Sequence, residues 1–239
     1  MSQRRIATAA IAFTALALWI ATARAELGPC VPADFDLMCG SGNGAARVII
    51  KTISPSRRLA FAWRLADGPP NRPDENDPNL GNLIVRIKDG TVLAKSHGSY
   101  WDLGTKIAKA YLMTAWSPDS RLLVKVEQRA VFASAELFAF AENDAAIGPF
   151  DLVKVIESAV RAKMGTRYAG DSVLVFTAHP AMTINDQGLL QAVVFTRRED
   201  AHDEPYAVTV QVKRGADSLD AKAVSVTPHA GVAGSIIVH

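Results

Sequence analysis

A turn that occurs twice constrains this chain more than any other feature. Residues 54–64 read SPSRRLAFAWR and residues 116–129 read WSPDSRLLVKVEQR, in each case a Ser-Pro turn running into an alternating strand. Proline fixes φ at the first central position, and Ser or Asp bonds back to the local backbone. Such a turn joins two antiparallel strands and sets the register of the second. The same punctuation at a long interval marks a repeated supersecondary unit. A third round can be drawn with SVLVFTA (172–178), the turn Ile184-Asn185-Asp186-Gln187-Gly188 and LLQAVVFTRR (189–198); aligning the turns brings Leu59, Leu122 and Leu189 together.

The remaining segments follow the same period-two pattern. NLIVRIK (82–88) and TVLAKS (91–96) flank Asp89-Gly90, which predicts a two-residue hairpin of type I′. SAELFAF (134–140) pairs next in the second round, and PYAVTVQVKR (205–214) with AKAVSVTP (221–228) closes the third. The glycines of GSGNGA precede a strand instead of opening a helix, so they predict a turn and not a phosphate loop. One segment breaks the pattern. In PFDLVKVIESAVRAKMG the polar residues Asp151, Lys154, Ser158 and Arg161 recur at helical spacing, Glu157 and Arg161 form an i,i+4 pair, and Gly165 suits the stop. This predicts one amphipathic helix at about 150–164, standing where the second round would have its fourth strand. The expected fold is mainly β, in antiparallel meanders with one helix; the alternative is an α+β sheet with the helix packed on one face.

The stretch WSPDSRLLVKV resembles the blade motif of WD40-like propellers of the TolB and prolyl-oligopeptidase type, where such a turn joins the first two strands of a four-stranded blade. Trp116, Ser117, Pro118, Asp119, Ser120 and Leu122 carry the match, and Ser54, Pro55 and Leu59 carry a degraded copy. The resemblance implies blade-like meanders over residues 46–140 and, more loosely, 172–228, and no particular activity. A closed ring needs at least four blades, recurring about every 40–45 residues. The copies here stand 63 residues apart and three rounds fit, so the expectation stops short of a closed propeller. An open sheet, a sandwich and a ring completed by a second copy all stay open.

The N-terminal 25 residues set the expected compartment. MSQRR, an apolar run and Ala23-Arg24-Ala25 have the anatomy of a secretory signal peptide, which predicts a periplasmic or secreted protein without a transmembrane segment after cleavage. Losing Arg4, Arg5 and Arg24 turns the formal net charge of +2 into −1, which removes the electrostatic support for nucleic-acid binding. In an oxidising compartment Cys30 and Cys39 are expected to close a small disulfide loop. The expected organisation is therefore a signal peptide (1–25), an N-terminal segment with a disulfide (26–45) and one β-rich domain (46–239).

Candidate chemistry is sparse. None of His97, His179, His202, His229 and His239 stands in a ligand spacing such as H-E-x-x-H, and G-x-S-x-G is absent. HGSYWD (97–102) is the most site-like cluster, with His97, Tyr100, Trp101 and Asp102 as binding candidates; the competing reading has Tyr100 and Trp101 anchoring the link to the core. REDAHDEP (198–205) gathers Asp200, His202, Asp203 and Glu204, which suit a divalent cation or a solvated hairpin loop. The acidic run at 73–79 lacks calcium-loop spacing. These features point to an exported, non-enzymatic binding or interaction module, needing no cofactor, whose partner is an envelope protein or other periplasmic component. Two alternatives stand beside it: a hydrolase with a site assembled from separated loops, and a metal or small-ligand binder.

Overall fold

In a computed structural model of the chain, residues 26–74, 77–104, 106–129, 132–165, 173–198, 201–202 and 205–230 are described. The expected signal segment lies outside them. Their strands form three antiparallel sheets. The first runs in chain order through β1 (Cys30–Ala33), β2 (Asp36–Cys39), β3 (Ala46–Val48), β4 (Leu59–Leu65), β5 (Leu80–Arg86) and β6 (Thr91–Ser96). The second is a four-stranded meander, β7 (Tyr111–Trp116), β8 (Leu122–Gln128), β9 (Ala133–Phe140) and β10 (Ala146–Asp151). The helix α1 (Leu152–Met164) follows. The third sheet has β11 (Val173–Phe176), β12 (Thr183–Ile184), β13 (Leu189–Arg198), β14 (Ala201–His202), β15 (Tyr206–Arg214) and β16 (Leu219–Pro228), ordered β11-β13-β15-β16, with β12 and β14 also paired to β13. The protein is thus mainly β with one helix, and no barrel or propeller closes among the described residues.

Two cores hold the sheets face to face. Leu59, Phe61, Trp63 and Ile84 of the first sheet meet Leu112, Leu123, Phe138 and Phe140 of the second. The opposite face of the second sheet, with Leu122, Val124, Val126 and Leu137, meets the helix and Leu190, Val194, Val208 and Val210 of the third. Every residue of β8 is therefore buried. The helix presents Leu152, Ile156, Val160 and Met164 to this core, one residue per turn along a single stripe. Asp151 caps its start by accepting from the Val153 N–H at 2.9 Å. Gly165 ends it at φ 59°, and the expected Glu157–Arg161 pair forms at 3.0 Å.

The three repeated turns make the same bonds. Ser54, Ser117 and Asn185 donate their N–H to the carbonyls of Leu59, Leu122 and Leu189, at 2.8, 2.9 and 3.2 Å. Their side chains in turn accept from a backbone N–H beyond the turn, that of Leu59, Leu122 and Leu189 respectively. The last turn residue in each, Arg57, Ser120 or Gly188, takes positive φ. The turns also touch. Ser120 Oγ accepts from the Ser56 N–H at 3.0 Å, and Asp186 Oδ1 accepts from the Asp119 N–H at 2.9 Å. The rounds are tied side by side at one end of the molecule.

Two expectations need correction. The helix does not replace the fourth strand of the second round, because β10 fills that place and the helix starts only after it. The Asp89-Gly90 hairpin forms, but with residues 87–90 in the turn between the paired Arg86 and Thr91. Gly90 takes φ 67°, whereas Asp89 stays out of the left-handed region, since its carboxylate is held by Arg86 and by the N–H of Thr91. Within residues 26–45, β1 and β2 extend the first sheet and are joined by the Cys30–Cys39 disulfide across register partners.

Candidate functional site

At the end opposite the stacked turns, the interface between the first two sheets changes character. On β8 the face that carries Leu123 continues as Lys125 and Glu127, and on β9 the face of Phe138 and Phe140 begins with Ser134 and Glu136. Strand alternation puts all of them toward the first sheet. Lys125, Glu127 and Glu136 are buried, at 0, 0 and 4% exposure. A charge taken that far out of water persists only with partners.

The partners come from the link after β6. Glu136 accepts from the Ser96 hydroxyl at 2.5 Å, the His97 N–H at 3.1 Å and His97 Nδ1 at 2.6 Å, and Lys125 Nζ lies 3.5 Å away. Lys125 donates to the His97 carbonyl at 2.6 Å and faces Glu127 at 3.4 Å. Glu127 is also held by Arg129 Nε at 3.0 Å, and Arg129 Nη2 donates to the Ser99 hydroxyl. Two cations and two carboxylates therefore balance beneath residues 96–99. Gly98 is obligatory in this wrapping: its φ is +108°, and a Cβ there would sit 2.0 Å from Glu127 Oε2.

Beside this cluster lies a cavity of about 170 Å³, lined by Arg72, Pro73, Ser99, Trp101, Ile107, Ala108, Lys109 and Arg129. Three of these residues are cationic, and none of the described lining residues is acidic. The exposed Arg72 has its guanidinium 6.0 Å from the centre of the Trp101 ring, at the outer reach of a cation–π contact.

Of the four binding candidates of residues 97–102, the side chains of Tyr100 and Asp102 meet, while His97 and Trp101 face elsewhere. The His97 side chain is 82% exposed, and because a carboxylate can only accept, its Nδ1 donates to Glu136 and Nε2 is left toward solvent. Tyr100 is buried, and Asn82 grips its backbone at both N–H and carbonyl, 3.0 and 2.7 Å. Burial, and then the charge of Asp102, pushes the Tyr100 phenol far above its ordinary range, so it stays protonated. Trp101 is buried too, but one side walls the cavity. Asp102 caps the Gly104 N–H with Oδ1 at 2.8 Å and accepts from the Tyr100 hydroxyl with Oδ2 at 3.5 Å, and its carbonyl accepts from Trp63 Nε1 at 3.0 Å. Of the metal candidates, Asp200, Asp203 and Glu204 lie outside the described residues, and β14 places the backbone of His202 opposite Arg197.

No family model matches the chain, and no curated protein is similar to it. Its site must be read from its own chemistry.

Sequence reasoning missed Lys125, Glu127, Glu136 and Arg129, because charges alternating along a strand read as a solvent face. A signal was nevertheless there. Leu123 shares its side of the strand with Lys125 and Glu127, and Phe138 and Phe140 share theirs with Glu136, so that side must enter a core. Arg72 and Lys109 stand in loops, where nothing in the sequence shows that they meet.

Proposed function

We propose that the protein is an exported binding module: three WD40-like blades stacked as an open array, with a contact site in the loops at the end away from the repeated turns. The carrying observation is the mutual satisfaction of the buried Lys125, Glu127, Glu136 and Arg129. These groups spend their bonds on each other and on the backbone of residues 97–99, which makes them a mount for the loop, while the cavity beside them is open. Rigid strands holding a chemically distinctive loop are the usual anatomy of recognition. The blade reading is supported by the shared bonding of the three turns and their contacts with one another. Export is supported by the N-terminal signal anatomy and by the disulfide.

The test is retention. Immobilised protein, native and heat-denatured, is exposed to envelope extract and washed, and retained components are identified. The reading expects one component held saturably by the native form alone; equal retention by both forms, or none, overturns it.

One observation favours the hydrolase alternative. His97, oriented by buried Glu136, presents Nε2 to solvent as a carboxylate-supported base would. The neighbouring hydroxyl points the other way, since Ser96 donates to Glu136 and not to the imidazole. The dyad therefore lacks the nucleophile–base–carboxylate chain of acyl transfer. Ester or phosphoester turnover that disappears in His97→Ala, with the melting temperature unchanged, would establish the enzyme instead of the module.

A further inference from the structure

We propose that the cavity beside Trp101 is the anchor pocket of the contact surface and receives one aromatic side chain of a partner polypeptide. This deepens the binding-module reading and rests on it.

The walls are fixed before anything binds. Residues 101–103 and 106–108 run antiparallel: the Ala108 N–H donates to the Trp101 carbonyl at 2.9 Å, the Leu103 N–H donates to the Lys106 carbonyl at 2.8 Å, and Asp102 bridges Ile107. Trp63 Nε1 ties this pair to the core by donating to the Asp102 carbonyl. Trp101 and Ala108 are each 6% exposed and Pro73 is buried, so packing holds three of the lining residues. A preformed wall avoids the ordering entropy that weakens binding.

Size and chemistry select the occupant. About 170 Å³ is close to the roughly 150 Å³ of an apolar cavity that takes up benzene. It falls well below the roughly 300–1,000 Å³ of pockets that enclose a drug-sized ligand. One aromatic ring fills such a space. Pro73, Trp101, Ile107 and Ala108 give it apolar contact, and Ser99 and Arg129 share the lining. The Arg129 guanidinium is bonded to Glu127 and Ser99, so it brings no unpaired charge for an anion. A paired guanidinium still attracts a π face, as Arg129 does that of Phe132 at 5.7 Å.

The surface around the cavity assigns the ring to a polypeptide. Ile107 is 54% exposed, and Phe132, beside Arg129, is 46% exposed. Phe35, 62% exposed, packs on Gly104 of the same link, where a Cβ would lie 2.9 Å from Phe35 Cδ2. Three of the seven large apolar side chains exposed among the described residues therefore gather here. A lone ring inside the cavity leaves Phe35 and Phe132 in water, whereas a chain that carries the ring can cover them. A buried aromatic anchor surrounded by lesser contacts is how interface centres are built.

The experiment is an amide NMR titration of the intact protein with three probes. They are a blocked pentapeptide with a central phenylalanine between valines, the same peptide with leucine at its centre, and phenol. The phenylalanine peptide should bind saturably, shift the Trp101 indole N–H and the Ile107 amide, and bind at least fivefold more tightly than either other probe. Ala108→Leu, which fills the cavity, should weaken it at least tenfold. Ile107→Ser, at an exposed position that folding does not depend on, should weaken it at least threefold. The proposal is overturned if the phenylalanine peptide does not bind or if the leucine peptide binds as tightly. Equal binding of phenol also overturns it, by assigning the space to a free small aromatic molecule, and so does unchanged binding by Ile107→Ser. Retention of the envelope component separates the two readings. Failure of the peptide test with retention intact removes the pocket alone, and failure of retention in the wild type removes the module.

Discussion

Lys125 carries its charge into a fully buried position, 5.8 Å from the centre of the Phe61 ring and between two carboxylates. Removing one member of a buried ion pair strands the other, at a cost of about 3–5 kcal/mol. Lys125→Met should lower stability by that amount in denaturant unfolding. Adding Glu136→Gln, which removes a stranded charge, should recover part of the loss; a double variant weaker than the single would contradict the ionic account. Asp89 provides a pH test. Hydrogen bonds from Arg86, at 2.8–3.1 Å, outweigh burial and hold its carboxyl far below the usual range. A folded-state value below the unfolded one means that the unfolded chain binds more protons as the medium is acidified. The contribution is complete well above pH ~4, where an ordinary aspartate ionises, and is lost as pH falls from there. Asp89→Asn should therefore flatten the stability–pH curve below pH ~4 relative to wild type, as read from melting temperatures across that range.

The turns were the most legible elements. Their chemistry is local, so Ser-Pro, Asn-Asp and the following leucines were enough to align three rounds that bond alike. What the motif left out is how the last turn residue bears its positive φ: Arg57 at 56° and Ser120 at 62° both stand where glycine is easiest. Arg57 is exposed, so Arg57→Gly should stabilise by about 0.5–1 kcal/mol. Ser120 is buried and accepts from Ser56, so Ser120→Gly should bring no gain or a loss. Chemical denaturation of the two variants distinguishes them by sign. Tertiary relations were less legible. Alternation along RLLVKVEQR looked half-exposed because no local rule says that a meander is covered on both faces, and β8 is. The HGSYWD link was found as a cluster, but the rotation that buries Tyr100 and leaves His97 outside comes from Asn82 and Glu136, 18 and 39 residues away.

Across the whole molecule, the second sheet is the shared layer, and nothing in it can loosen without exposing both cores. The disulfide lies at the other extreme, on the outermost hairpin of the first sheet. Because it closes a short loop, Cys30→Ser/Cys39→Ser should lose about 2–3 kcal/mol of stability while far-ultraviolet dichroism keeps its folded shape. Loss of the β signal would show that the hairpin nucleates the sheet. The ends of the molecule also differ in freedom. Where Ser56 meets Ser120 and Asp119 meets Asp186, one added residue in the middle turn would shift two neighbours out of step, and one in either outer turn would shift the middle one. At the far end the contacts between segments run through side chains, Arg129 to Ser99 and Arg72 to Trp101, and not through the backbone of the turns. In any lineage of this chain, insertions and deletions should gather there, so that specificity can drift while the welded end keeps its length.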